Sequence, residues 1–276
     1  MTAEPSSEVG STQAFILAGG QGERLHPLTA SRPKPAVSFG GVFRIIDFTL
    51  ANCTHSGVHH VSLVTQYRHE ELHRYVRERW GHNWNRAEGE LRFLPPTSGK
   101  RYLGTADAVF QNLELVEAVR TDFVLVLSGD HIYDMDYGAL LRQHAESDAD
   151  FTIATVEHPI KEASRFGIVE VDRTWEVTSF EEKPFHPRPL PSSPSLALVN
   201  MGVYAFKRSV LVDVLQQHCA TGSYDFGRDI IHRSYVPGER THMTSGITAP
   251  TCLATGGISE QSTHITKRVW ICLPPP

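Results

Sequence analysis

Long apolar runs are missing from this chain of 276 residues. No stretch of about 18 consecutive apolar residues occurs, so no transmembrane helix is expected and no membrane partner is assigned. Cysteine is sparse: Cys53, Cys219, Cys252 and Cys272 are widely scattered and form no CxxC pair. A disulfide framework and a metal finger are both excluded by that spacing, and a reduced, cytoplasmic protein is the expectation. The 15 histidines include no HExxH and no zinc-ligand spacing. Positive charge is not in excess either, with 26 Lys and Arg against 31 Asp and Glu and a net charge of -5. No bulk basic field is present to hold nucleic acid, and none is expected as a partner. The opening residues, MTAEPSSEVGSTQ, lack the basic-then-apolar order of a secretory leader.

What is present is an ordinary globular composition, 40% hydrophobic, 9% aromatic and 21% charged. The length fits one large α/β domain, or one domain plus an appendage. Residues 1–12 read as a disordered tail rich in Ser, Glu and Gly. Four short apolar runs follow, Ala14–Ala18, Val61–Thr65, Phe123–Leu127 and Phe151–Val156, and each reads as a buried strand. Between them Phe48–Ser56, His69–Trp80, Ala106–Ala118 and Tyr137–Glu146 carry helical patterns. Strands alternating with helices predict a doubly wound, mostly parallel sheet of Rossmann-like type. From Phe166 the pattern becomes antiparallel: Gly167–Asp172 and Trp175–Phe180 read as a hairpin turning near Arg173 and Thr174. A Pro-rich loop, a strand over Met201–Phe206 and a helix over Ser209–Gln217 complete this mixed part. The expected catalytic domain spans 13–237, and residues 238–276 show neither helical nor strand period and read as an irregular tail.

Four places carry chemistry. The strand ending at Ala18 runs into Gly19, Gly20, Gln21 and Gly22, and residues without Cβ let backbone N–H groups approach phosphate oxygens. Such a turn serves either as a plain reversal or as a phosphate cradle. Arg24 and the run Arg32-Pro33-Lys34-Pro35 favour the cradle, because they add a planar fork and a compact ammonium. The spacing is neither GxGxxG nor GxxxxGK[ST]. Asp130, in Ser128-Gly129-Asp130-His131, stands at the carboxyl end of a strand. There it could hold Mg²⁺ together with substrate phosphates, or merely cap the next helix. His131 reads as a packed loop residue. Gly104 and Thr105 open a helix just after Tyr102; Thr105 reads as its N-cap, while the helix N-terminus could also approach an anion or a base edge. Lys183 follows a strand and is either a solvated lysine or a substrate contact. Arg74, Arg77 and Arg79 read as an exposed helix face.

Taken together, these residues resemble the sugar-phosphate nucleotidyltransferases, and within them the bacterial glucose-1-phosphate adenylyltransferase (ADP-glucose pyrophosphorylase) branch. The likeness runs from Ala14 to Ile231 and includes LAGGQGERL, PKPAVSFGG, FRIIDFTLANC, Thr65-Gln66-Tyr67, YLGTADAV, GDHIY, RFGIV, EEKP and DFGRDII. The resemblance implies that ATP and α-D-glucose 1-phosphate yield ADP-glucose and pyrophosphate, committing glucose to glycogen. It places the triphosphate on Gly19, Gly20, Gln21, Gly22 and Arg24, with Lys34 offsetting phosphate charge. Gln66 and Gly104 would face the adenine, and Asp130 would hold Mg²⁺. Lys183 would pair the sugar phosphate, with Glu182, Gly167, Tyr102 and Asn200 around the glucose. Relatives that use dTTP or UTP, and a non-catalytic paralogue that binds ATP or sugar phosphate, are the alternatives.

The chain departs from the family pattern at several positions. Asn200 stands where Ser usually precedes Met-Gly, Leu103 where Arg or Gln precedes GTADA, and Ser31 where some relatives carry an activator-site Lys. After DFGRDII the family continues through a Tyr-Trp-Arg-Asp-Val-Gly motif bearing a second metal carboxylate, then a left-handed β-helix domain that helps assemble a homotetramer. Neither is found here, and Cys252–Ser259 contains no Asp. Loss of that carboxylate is expected to cost orders of magnitude in rate, because the cation would neutralise the transition state poorly. A divergent tail and a frame-shift product both remain open for 238–276.

Overall fold

A computed structural model describes residues 12–86, 89–97, 100–118, 122–173 and 177–232. Outside them lie all but Thr12 of the expected N-terminal tail, part of the hairpin turn after Arg173, Cys252, Cys272 and the whole 238–276 tail. The described chain divides into two compact units. One holds residues 12–101 and Leu127–Ala139; the other holds Tyr102–Val126 and 140–232.

The first unit opens with β1 (Gln13–Leu17), whose first four residues are buried. Burial without alternation means both faces of the strand are covered, as in a parallel sheet flanked by helices. The hairpin β2 (Ser38–Phe39) and β3 (Phe43–Arg44) leads into α1 (Ile45–His55). The sequence reading begins this helix at Phe48. It begins at Ile45 because the Asp47 carboxylate accepts the Arg44 N–H at 2.8 Å and so closes the first turn. Asp47 is buried, and it also accepts from the Tyr75 hydroxyl at 2.5 Å and the Trp80 indole N–H at 2.7 Å. Both donors lie on α2 (His69–Arg86), so one carboxylate ties two helices together. Strand β4 (His60–Val64) pairs in parallel with β1, and β5 (Glu90–Leu94) pairs in parallel with β4. The sequence reading misses β5: its residues are only partly covered and include Glu90 and Arg92, so no apolar run marks it. The end of β6 (Phe123–Ser128) lies beside β1, where Gly129 N–H donates to Leu17 O at 3.0 Å.

The second unit begins with α3 (Thr105–Phe110) and α4 (Leu113–Ala118), where the sequence reading expects a single helix. The break falls at Gln111 and Asn112. Asn112 Nδ2 donates to Ala108 O at 2.8 Å and to the Tyr102 hydroxyl at 3.0 Å, a local competition with the helical ladder that Asn commonly wins. Helix α5 (Tyr137–Glu146) leads to β7 (Phe151–Pro159), the short α6 (Ile160–Ala163), β8 (Gly167–Val171) and β9 (Val177–Glu182). Strand β10 (Leu196–Lys207) starts five residues earlier than read from sequence, and α7 (Arg208–Cys219) follows it directly. The strand order here is β6, β10, β8, β9, with β7 also on β10, and β10 runs antiparallel to both β7 and β8. The fold is thus the expected mixed α/β type, parallel in the first unit and antiparallel where the hairpin was read. Helix α7 buries Leu211, Val214, Leu215 and Cys219, the spacing of one helical face. Cys53 and Cys219 are buried thiols without a disulfide partner. Among the described residues no helix is long and apolar enough to cross a membrane.

Two buried histidines couple this packing to pH. His73 meets the Thr65 hydroxyl at 2.7 Å and packs on Phe93, and His144 meets the Thr152 hydroxyl at 2.8 Å beside Phe123. Burial, reinforced by the charges of His69 and Arg77, brings His73 down to about 4. Burial and the Lys207 charge bring His144 down to about 4. Between pH 6.5, the ordinary histidine value, and about 4 the unfolded chain therefore binds protons that the folded chain refuses. Stability should fall as the pH is lowered through that window, with each histidine contributing on the order of 2 kcal/mol between pH 7.5 and pH 5. Urea unfolding at pH 5 and 7.5 measures it. The His144→Phe variant should lose less stability on acidification than the unaltered chain.

Candidate functional site

In the first unit the glycine-rich bend leaves β1 at Ala18. Gly19 packs against Gln66, which lies 3.4 Å from the position a Cβ would take, and Gly20 has open space around it. Gln66, which the sequence reading places with Gly104 at the adenine, is thus a neighbour of the bend. Gly22 has φ 69°, and a Cβ there would lie 2.6 Å from Lys34 Cβ. Only glycine fits both the left-handed backbone and that approach. The Gly22 carbonyl accepts from the Thr29 hydroxyl and from Leu25 N–H, each at 2.9 Å, which fixes the bend. Gln21 and Arg24 are exposed beside it, Arg24 on the short turn Glu23–Leu25 and without an ion pair to any described residue.

Lys34 opens a second short turn after Pro33, and its ammonium reaches Asp130 Oδ2 at 3.1 Å. Asp130 lies two residues beyond β6, with the Ser128 hydroxyl donating to its Oδ1 at 2.6 Å and His131 Nδ1 3.6 Å away. Burial pushes this carboxyl upward. The nearby His131 imidazole, the Lys34 charge and the Ser128 hydroxyl more than reverse that and hold it well below the usual carboxylate range. The side chain still keeps 42% of its accessibility, so a charged oxygen is packed at its base and open at its rim. Gly22, Lys34 and Asp130 are therefore contiguous. A hard divalent cation takes oxygen ligands. Among the described residues no three His, Cys, Asp or Glu side chains gather as a cage. A single carboxylate with an open rim fits a divalent cation whose remaining oxygen ligands come from elsewhere.

In the second unit Gly167 is the register partner of Glu182 across β8 and β9. Glu182 Oε2 lies 2.8 Å from where a Cβ would stand on Gly167, and also 2.8 Å from one on Gly227. The carboxylate is held between two backbones. Its Oε1 pairs with Lys183 Nζ at 2.8 Å, and Lys183 itself takes a left-handed backbone, φ 53°, with its N–H donating to Phe166 O at 3.1 Å. Asn200 sits at a bulge in β10, where pairing with β7 shifts register before Tyr204. Its Oδ1 accepts from Gly202 N–H at 2.8 Å and its Nδ2 donates to the Tyr204 hydroxyl at 2.7 Å. Burial raises the Tyr204 phenol, and the Asp225 and Glu182 carboxylates add to the rise.

The start of α3 differs from the sequence reading. Gly104 is the N-cap residue, and a Cβ there would meet Tyr224 O at 2.3 Å. The Tyr224 carbonyl takes the N–H groups of Ala106 and Asp107, while Thr105 donates its hydroxyl to Asp225 and accepts from Phe226 N–H. Those N–H groups are thus spent on the chain itself, not left for an anion. Tyr102 is buried just before this turn. Sequence reasoning missed the partner segment, a π-helical turn over Phe226–Ile231. Within it the Arg228 guanidinium, together with N–H groups of Asp225 and Tyr224, holds Asp229 down at about 2. Its signal was the run Asp225-Phe226-Gly227-Arg228-Asp229, quoted for the likeness but given no role.

Comparison with known proteins adds a family to this geometry. Residues 13–246 match the family model described as Nucleotidyl transferase. A glucose-1-phosphate adenylyltransferase of Nitrosomonas europaea is 47% identical over 237 residues, covering 84% of this chain and 55% of that protein. One of Shewanella sp. is 48% identical over 226 residues, covering 80% of this chain and 54% of its own length. The chain spans about half the length of the curated relatives it matches. A glycine bend against a lysine, a lysine on a strand-end aspartate, and a family match over most of the sequence agree: the chain belongs to the nucleotidyl transferase family.

Proposed function

We propose that this chain transfers the adenylyl group of ATP to α-D-glucose 1-phosphate, giving ADP-glucose and pyrophosphate. The contiguity of Gly22, Lys34 and Asp130 carries the reading, in a chain 47% identical to a protein named glucose-1-phosphate adenylyltransferase. A sugar phosphate oxygen attacks the α-phosphorus in line, and such chemistry needs positioning and charge neutralisation more than acid–base groups. The bend Gly19, Gly20, Gln21 and Gly22 turns its backbone toward the triphosphate, with Arg24 and Lys34 supplying positive charge. Gln66, packed on Gly19, is assigned to the adenine, as is Gly104. Asp130 is the residue that would hold Mg²⁺, which when bound neutralises charge on the reacting phosphates. On the second unit Lys183 is assigned to the sugar phosphate, and Glu182, Gly167, Tyr102 and Asn200 to the glucose.

Purified full-length chain supplied with Mg²⁺, ATP and labelled glucose 1-phosphate tests the proposal. ADP-glucose should form, and faster than the corresponding products from dTTP or UTP; a product from dTTP or UTP but none from ATP rejects the adenylyl assignment. Asp130→Asn should lower turnover by about a hundredfold or more while leaving the circular dichroism spectrum intact. Lys183→Gln should raise KM for glucose 1-phosphate about tenfold with KM for ATP nearly unchanged, and an unaltered sugar phosphate KM removes Lys183 from that role.

A further inference from the structure

Helix α1 and its C-cap carry the run Phe48-Thr49-Leu50-Ala51-Asn52-Cys53-Thr54-His55-Ser56, and the proposed chemistry uses none of it. Three small polar residues in it, Thr49, Asn52 and Ser56, are all buried. Their spacing of three and then four residues sets them in one stripe along the helix. Each meets the loop that carries Asp130. The Thr49 hydroxyl donates to Ser128 O at 3.2 Å, just before Asp130. Asn52 Nδ2 donates to Tyr133 O at 3.1 Å, just after it. Ser56 Oγ accepts from Tyr137 N–H at 2.8 Å, where the loop enters α5. The loop and the helix thus run side by side in the same direction, pinned at three successive points.

Further contacts close the framework. The hydroxyls of Tyr133 and Tyr137 meet at 2.5 Å, fully buried, and the His131 ring stacks on Tyr133 at 4.5 Å. Behind Asp130, Gly129 leaves no room for a side chain, since a Cβ would lie 2.8 Å from Ile16 and 3.0 Å from Ile46. Burying this many polar groups is costly unless they are mutually bonded, and a helix facing a core would otherwise present aliphatic residues. Packing alone does not explain the stripe.

We infer that Thr49, Asn52 and Ser56 are positioning residues that hold the Asp130 loop at the height and angle from which its carboxylate meets a phosphate-bound divalent cation. This rests on the assignment of Asp130 made above. Residues that orient a metal ligand typically govern affinity by ten- to a hundredfold, roughly, when removed. The stripe should therefore appear in metal affinity, which a purely structural role would leave untouched in a folded variant.

The probe is Mn²⁺ binding to the full chain in the presence of ATP, followed by electron paramagnetic resonance, with Asp130→Asn as the floor. Thr49→Val should weaken Mn²⁺ binding about tenfold while near-ultraviolet circular dichroism stays native. Thr49→Ser, which returns the hydroxyl, should bind within about twofold of the unaltered chain. Should Thr49→Val fail to fold, Ser56→Ala decides, with an expected loss of about threefold. A folded Thr49→Val or Ser56→Ala chain with full Mn²⁺ affinity, beside an Asp130→Asn chain that has lost it, overturns the stripe alone. An Asp130→Asn chain that still binds Mn²⁺ normally overturns the Asp130 assignment, and the stripe with it.

Discussion

A carboxylate partly packed against protein atoms needs neighbouring donors and charges in place of the water it has lost, and Asp130, with 42% of its side chain still open, has them in Lys34, Ser128 and His131. Lys34, Ser128 and His131 surround it closely enough to keep it charged in spite of burial. Each of these has its own support. Lys34 stands on a short turn whose entry is set by Pro33, and it can come so near the glycine bend only because Gly22 has no side chain. Ser128 closes β6, which lies beside β1 in the sheet, so the charge stands just past the carboxyl end of that strand, the edge where ligands of open α/β sheets bind. A lysine and an aspartate that satisfy one another in the free chain are also two groups that a magnesium polyphosphate would satisfy separately.

The second unit solves a related problem with backbone instead of charge. Glu182 has one counterion, Lys183, and is otherwise confined by the glycines of β8 and of the π-helical turn. That turn is fastened from two sides. Asp229 caps the N–H groups of Tyr224 and Asp225, and Thr105 bonds both Asp225 and Phe226. The same fastening takes up the N–H groups of Ala106 and Asp107, so those two donors are not left for an anion.

Much of this was legible beforehand, for physical reasons. Strands buried on both faces announce themselves as continuous apolar runs, and β1, β4, β6 and the first part of β7 all did. Lys34 and Asp130 were legible as charged residues beside a glycine bend and a strand end, though 96 residues of sequence separate them and nothing local predicts their contact. What escaped was decided mostly by single side chains. Asn112 broke a helix by bonding Ala108 and Tyr102, Asp47 began one early by capping Arg44, and β5 lacked the apolar density that reveals a strand. Thr105 shows the limit most clearly. Its residue type suits an N-cap, yet its hydroxyl is committed to residues more than a hundred positions away.

The enclosure of Glu182 by Gly167 and Gly227 has a thermodynamic corollary. A surface glutamate surrenders its rotational freedom at the moment a ligand arrives, and that entropy is subtracted from affinity. Here the freedom is given up once, as the polypeptide folds, and two mobile side chains are replaced by two peptide walls. A donor approaching this oxygen would meet an acceptor whose direction is already settled.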